Sequence, residues 1–261
     1  ADATNMTLRK KNGDTFPNVT TGTVKWGEYV RNGTLAKSYT LELVYTDNSA
    51  GGVQSFQYYP GMRVGSMSLD ITAQQRITGA VGFDGKQGFF NSGGKLPADG
   101  ANLEAGTTDP MTASANVAQL VFDMDSLGAG PNVTPLIQQV TMDLNGNNRI
   151  QPAVGDKFPI GIGQGTISMT GAMNMYFQDD EFFNLMTAHT YFGFTIPMLD
   201  AQGGAVIITF PKIVLTDGAP TVPGRNQDVF ENKGFQAVRH PAPLVNDTDA
   251  TFGIQIDEIP A

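Results

Sequence analysis

A chain of 261 residues, 40% of them hydrophobic, can bury a sizeable core and is not disordered. Its net charge of −9 argues against a protein that grips nucleic acid through clustered Lys and Arg, though not against one past which nucleic acid slides, because an acidic wall repels phosphate. With no cysteine there is no disulfide framework, thiolate metal site or thiol hydrolase, and a charged fraction of 16%, against roughly 25% for a typical soluble domain, leaves a surface more easily covered by neighbours than left in water.

The chain opens on Ala1-Asp-Ala-Thr-Asn, without the basic region and apolar core of a signal peptide. The lack of an initial Met suggests that residues were removed or left out before Ala1. No run approaches the ~18 apolar residues of a membrane span. Residues 1–37 carry no pattern that places them. Ser38 to Thr46 alternates as a strand, Asp47 to Gly52 makes a turn, and Val53 to Tyr59 returns, so the first element is a hairpin.

Next comes Ser66-Met-Ser-Leu-Asp-Ile-Thr-Ala-Gln-Gln-Arg-Ile77, which is written a second time, without a gap, as Gln139-Val-Thr-Met-Asp-Leu-Asn-Gly-Asn-Asn-Arg-Ile150. Both copies alternate. Met67, Leu69 and Ile71 share one face of a strand and Ser66, Ser68, Asp70 and Thr72 the other; Val140, Met142 and Leu144 oppose Gln139, Thr141 and Asp143. A related strand follows each copy, Ile77-Thr-Gly-Ala-Val-Gly-Phe83 and Met169-Thr-Gly-Ala-Met-Asn-Met175. This is a duplicated hairpin with one wet face, which points to architecture before catalysis.

Between the copies, residues 91–134 are rich in Gly, Ala, Pro and Thr, and only Gln119 to Met124 reads as a strand, so this is a long excursion from the core. The one convincing helix begins at Asp179-Asp-Glu181. Asp179 caps, the acids suit the first turn, and Phe182, Leu185 and Met186 form the face that packs on the sheet. Strands follow at Thr190–Ile196, Ala205–Phe210, Lys212–Leu215 and Thr251–Ile259, with Pro211 marking a bulge or an edge.

Chemistry is scarce along this chain. His189 and His240 lack metal-ligand spacing, no Ser sits in a Gly-x-Ser-x-Gly elbow, and Gly93-Gly-Lys95 lacks the Ser or Thr and the leading Gly of a phosphate loop. Asp143, Asn145 and Asn147 have the first three ligands of a calcium loop in spacing, but Gly146 and Val154 stand at the wrong places, which favours a plain hairpin turn. The adjacent acids Asp179 and Asp180 fit capping better than glycoside hydrolysis. Asn-x-Thr triplets at Asn5, Asn18, Asn32, Asn132 and Asn246 are expected by chance in a chain so rich in both residues. No enzyme, metal or cofactor is implied.

Three blocks carry a resemblance. Tyr59-Pro-Gly-Met-Arg-Val-Gly-Ser-Met-Ser-Leu69 leads into Ile77-Thr-Gly-Ala-Val-Gly-Phe-Asp-Gly85. Met142 to Gly155 is followed by Gly161-Ile-Gly-Gln-Gly-Thr-Ile-Ser-Met-Thr-Gly171 and Met175-Tyr-Phe-Gln-Asp-Asp-Glu-Phe-Phe183. Ile207-Ile-Thr-Phe-Pro-Lys-Ile-Val-Leu215 precedes Phe235-Gln-Ala-Val-Arg239 and the closing strand. In this order the blocks resemble the tail tube proteins of long-tailed bacteriophages over residues 40–90 and 135–259.

The resemblance implies a single tail-tube domain over 1–261, mainly β: a β-sandwich or half-barrel with one short packed α-helix, contributing strands to a ring-wide β-barrel. It implies a non-enzymatic virion protein, assembled in the bacterial host cytoplasm, whose six-membered rings stack around a channel for genome ejection, with long loops reaching the next ring. The implied partners are further copies of itself, tail-end and baseplate proteins and a tape-measure protein, with DNA passing unbound and no membrane involved. On this basis Ser66, Ser68, Asp70, Thr72, Gln139, Thr141 and Asp143 are expected to face the lumen, with Met67, Leu69, Val140 and Met142 packed inward. The segment 1–37 is then expected to follow an absent N-terminal segment that completes the inner sheet, and 91–134 to decorate the outside or bridge rings. The alternative is a secreted carbohydrate-binding β-sandwich, with Tyr58 and Tyr59 as its platform because Trp26 is the only Trp; another self-assembling shell or pilus subunit, and then an acidic hydrolase, come after it.

Overall fold

The computed structural model describes residues 28–32, 37–47, 53–91, 95–96, 109–117, 120–123, 136–222, 224–239 and 253–259. Most of the segment 1–37, much of the 91–134 excursion, Trp26, His240 and four of the five Asn-x-Thr asparagines lie outside the described residues.

In chain order the strands are β1 (Glu28–Arg31), β2 (Tyr39–Asp47), β3 (Val53–Thr72), β4 (Thr78–Asp84), β5 (Phe89–Asn91), β6 (Val121–Asp123), β7 (Ile137–Asn145), β8 (Arg149–Gln151), β9 (Gly161–Gly163), β10 (Ser168–Tyr176), β11 (Tyr191–Leu199), β12 (Ala205–Asp217), β13 (Pro220–Thr221), β14 (Phe230–Ala237) and β15 (Gln255–Ile259). Among the described residues two helices, α1 (Ala113–Asn116) and α2 (Glu181–Thr187), interrupt them. The fold is mainly β, a sandwich or half-barrel: thirteen strands form one sheet with the path β1-β15-β12-β14-β10-β7-β3-β2, and β8-β9 forms a separate hairpin.

The sheet closes over its own apolar face. Buried residues of β3, β7, β10 and β14 share one cluster with those of β11, β12 and α2. At its centre Phe194 stacks on Phe122 and Phe210 at 5.2 and 5.9 Å and meets the edge of Phe235 at 6.0 Å. Quadrupole-matched ring pairs of this kind add about 0.5–1.5 kcal/mol each beyond area burial.

Two prolines lie inside strands at bulges, Pro211 where a bulge or an edge was expected. The expected strands Val53–Tyr59 and Ser66–Thr72 are one strand, because Pro60 and Gly61 together oppose the single Thr40 in a bulge and Gly61 takes φ +69°. A bulge needs no ladder hydrogen bond from Pro60. Pro211 also sits at a register shift, opposite the step between Phe192 and Phe194, and β12 runs through it: its first half pairs β15 and its second half β14.

Candidate functional site: the polar face of the central sheet

The two copies of the repeat are hydrogen-bonded to each other. β3 pairs β7 antiparallel with Ser66 opposite Asn145, Ser68 opposite Asp143, Asp70 opposite Thr141 and Thr72 opposite Gln139. The follow-on strands flank this pair symmetrically. In β4 Thr78 opposes Asp70 and Gly79 opposes Leu69; in β10 Thr170 opposes Asp143 and Gly171 opposes Met142. The β4-β3-β7-β10 unit therefore has a local two-fold axis perpendicular to the sheet.

Strict alternation separates the two faces of this unit. Ile71, Val140 and Met142 are buried in the core, and Met67, Leu69 and Leu144 pack against it half-buried. The seven residues expected at a lumen, Ser66, Ser68, Asp70, Thr72, Gln139, Thr141 and Asp143, all stand on the other face; Ser66 and Asp143 are exposed and the other five half-buried. The register adds Thr78 and Ala80 of β4, Ser168, Thr170 and Asn174 of β10, and Asn232 and Gln236 of β14. Their signal in the sequence is the recurring Thr-Gly-Ala, whose Thr and Ala share the face of the paired aspartate.

Charge on this face has one sign. Over residues 66–72, 78–82, 139–145, 168–174 and 232–236, all described, Asp70 and Asp143 are its only charged side chains. Asp70 is held in place: it accepts the Thr72 hydroxyl at 2.7 Å and the Gln139 amide at 3.1 Å to each oxygen. Such charge-assisted bonds order a carboxylate without removing its charge.

The turn after β7 is not the plain hairpin turn expected: it leads into the separate β8–β9 hairpin, and β7 pairs β10 beyond it. Asn145 accepts the Asn147 amide at 2.9 Å, Asn147 takes φ +47° and its side chain donates to the Thr166 carbonyl. Asn32 uses its side-chain oxygen to accept the backbone amides of Gly253 and Ile254, fastening β1 to the chain's closing segment.

On the apolar side, Phe182 is buried and Leu185 and Met186 are half-buried against the core, all from α2. Its cap differs by one position from the expected one. Asp180 is the N-cap residue and makes no side-chain cap bond, while Asp179, one residue earlier, accepts the Glu181 amide at 3.0 Å. The described part of the excursion returns to the same core: β6 adds to the β11 edge, and Met111, Ala113, Val117 and Phe122 pack against the cluster. Beneath the polar face, β14 buries an ion pair, Glu231 with Lys233, their charged atoms 2.6 Å apart.

The sequence model of the family described as phage tail tube protein matches residues 8–237. No curated protein matches the chain.

Proposed function

The chain belongs to the phage tail tube protein family, which makes it a structural component of a virion tail that associates with itself into a tube, and from that premise we propose that it closes into hexameric rings whose channel is lined by the polar face of β4-β3-β7-β10. Stacked, these rings form the conduit through which the genome is ejected into the bacterial host. Tail-end, baseplate and tape-measure proteins are its further partners, and assembly takes place in the host cytoplasm.

The observation that carries this reading is the uniform chemistry of the polar face. Short hydroxyl and amide side chains cover it, and its charges are the two aspartates. DNA is held by cations that displace its counterions, so a wall of this composition offers it nothing to adhere to and repels its phosphates. Ser66, Ser68, Asp70, Thr72, Gln139, Thr141 and Asp143 are the lining residues on this reading. The two-fold relation means that each subunit presents its hairpin twice, which supports a smooth lining that looks alike from both ends. β4 is the outermost strand of this half of the sheet and is exposed over Thr78–Val81. An open edge is a site for pairing with another chain, and closing it through a neighbour joins the sheets of a ring.

The test is negative-stain electron microscopy of the purified, full-length protein over a range of concentrations. Rings or hollow tubes of uniform width support the proposal. A chain that stays monomeric throughout, or tubes with Asp70 and Asp143 on the outer wall, overturns it.

A further inference from the structure

Asn145-Gly146 is one of three Asn-Gly pairs in the chain, with Asn12-Gly13 and Asn32-Gly33. An asparagine before glycine modifies itself in water more readily than one before any other residue, because glycine has no side chain to keep its nitrogen from the asparagine's amide carbon. Here the pair stands at the corner where β7 leaves the central sheet. Space accounts for the glycine: a Cβ at 146 would lie 3.2 Å from the Gly65 carbonyl oxygen, tighter than ordinary packing.

The fold withholds both reacting groups. Gly146 is buried and its N–H donates to the Gly65 carbonyl at 2.7 Å, so the proton that must leave before the nitrogen can attack is held in a hydrogen bond away from solvent. Asn145 is exposed, but its side-chain oxygen accepts the Asn147 amide at 2.9 Å, which pins the side chain to the turn. Asn148 closes the corner, its side-chain amide donating to the Val64 carbonyl at 3.1 Å and to Asp84 at 2.9 Å.

We propose that Asn145 is a latent site of self-modification, shut in the folded chain and reactive when the corner between β7 and β8 opens. In the reaction the Gly146 nitrogen bonds to the Asn145 side-chain carbonyl carbon, the bond from that carbon to the side-chain nitrogen breaks, and this nitrogen leaves as ammonia with the Gly146 proton. Water then opens the cyclic imide at either carbonyl, giving aspartate or the isomer whose main chain runs through the side-chain carbonyl. Residue 145 stands opposite Ser66 and Ser168, on the face of Asp143. Either product therefore adds a carboxylate to a face whose charges are already negative, and the isomer also adds a methylene to the main chain, which draws Gly146 away from Gly65.

The test is peptide mapping by mass spectrometry of the full-length protein held at mildly alkaline pH, folded and in urea. In urea, where local sequence alone acts, Asn12, Asn32 and Asn145 are expected to convert at similar rates. In the folded protein Asn145 is expected to convert about tenfold or more slowly than in urea, since only the open fraction reacts. Asn148→Ala, compared with the wild type where circular dichroism shows both folded, is expected to raise the folded-state rate at Asn145 about threefold or more. Gly146→Ala, measured in urea so that its folding does not matter, is expected to slow conversion at Asn145 and leave Asn12 and Asn32 unchanged. Equal rates at Asn145 in the folded and unfolded protein overturn the protection. An unchanged folded-state rate in Asn148→Ala overturns opening of the corner as the route, and an unchanged rate in urea for Gly146→Ala overturns attack by the Gly146 nitrogen.

Discussion

Leu69 and Met142, which hold the same position in the two copies of the repeat, face each other across the β3–β7 ladder. Each has a glycine of the Thr-Gly-Ala motif on its other side, Gly79 beside Leu69 and Gly171 beside Met142. The symmetry is that of the backbone, and the surroundings depart from it. A Cβ on Gly171 overlaps the Thr141 carbonyl oxygen and the Phe235 ring, whereas on Gly79 it lies 3.0 Å from the Ser68 oxygen and 3.5 Å from Leu69 Cδ1. Gly171→Ala is therefore expected to cost about 3 kcal/mol and Gly79→Ala about 1 kcal/mol or less. Urea denaturation of the two variants checks this, and equal shifts in midpoint contradict the register.

The two aspartates of the polar face differ in how they are held. Removing the Asp70 carboxylate leaves the Thr72 hydroxyl and the Gln139 amide without their acceptor on a half-buried surface. Asp70→Ala is expected to destabilise the chain by about 1 kcal/mol, and the exposed Asp143→Ala by less than about 0.5 kcal/mol. Thermal melts at one pH and one salt concentration separate them; an Asp143 variant that melts lower than the Asp70 variant contradicts the bonding described.

Glu231 and Lys233 are 2% and 0% exposed and belong to one strand, β14, on its core face. Lys233 also donates to the Gly218 carbonyl and lies 5.5 Å from the centre of the Phe183 ring. Breaking such a pair strands a buried charge, whereas replacing both partners with apolar residues does not. Lys233→Met is expected to cost about 3–5 kcal/mol, and adding Glu231→Leu to recover most of it. A double-mutant cycle in guanidinium decides: a double variant no more stable than Lys233→Met places the cost in the Gly218 bond and not in the charge pair.

Much of the sheet was legible because alternation is a strong signal where one face is buried. Both copies of the repeat, the strand read as Ser38–Thr46 and found at Tyr39–Asp47, and the Phe182, Leu185 and Met186 face read directly from spacing. The pairing of the copies with each other did not, since a repeat fixes what each segment is and not which segment lies beside it. Pro60 and Gly61 read as a break because local propensity does not show that a bulge removes the need for the proline's missing donor. The strands β8 and β9 are three residues each, too short for periodicity to register. The buried Lys233 reads as a surface residue until its partner two residues away on the same face is seen.

If the polar face lines a channel, its charge governs the passage of DNA. Reversing it with Asp70→Lys and Asp143→Lys places two cations per subunit where phosphates pass, and each phosphate neutralised makes binding fall with salt at a logarithmic slope of about −0.9. In virions carrying both substitutions, tubes of normal width are expected, with genome release after triggered ejection slowed at low salt and progressively restored as salt rises. Asparagine at both positions removes the repulsion without adding attraction, so release stays close to the wild-type rate. Release by the double lysine variant at the wild-type rate and salt dependence places this face away from the DNA, and the lining must then be sought elsewhere on the subunit.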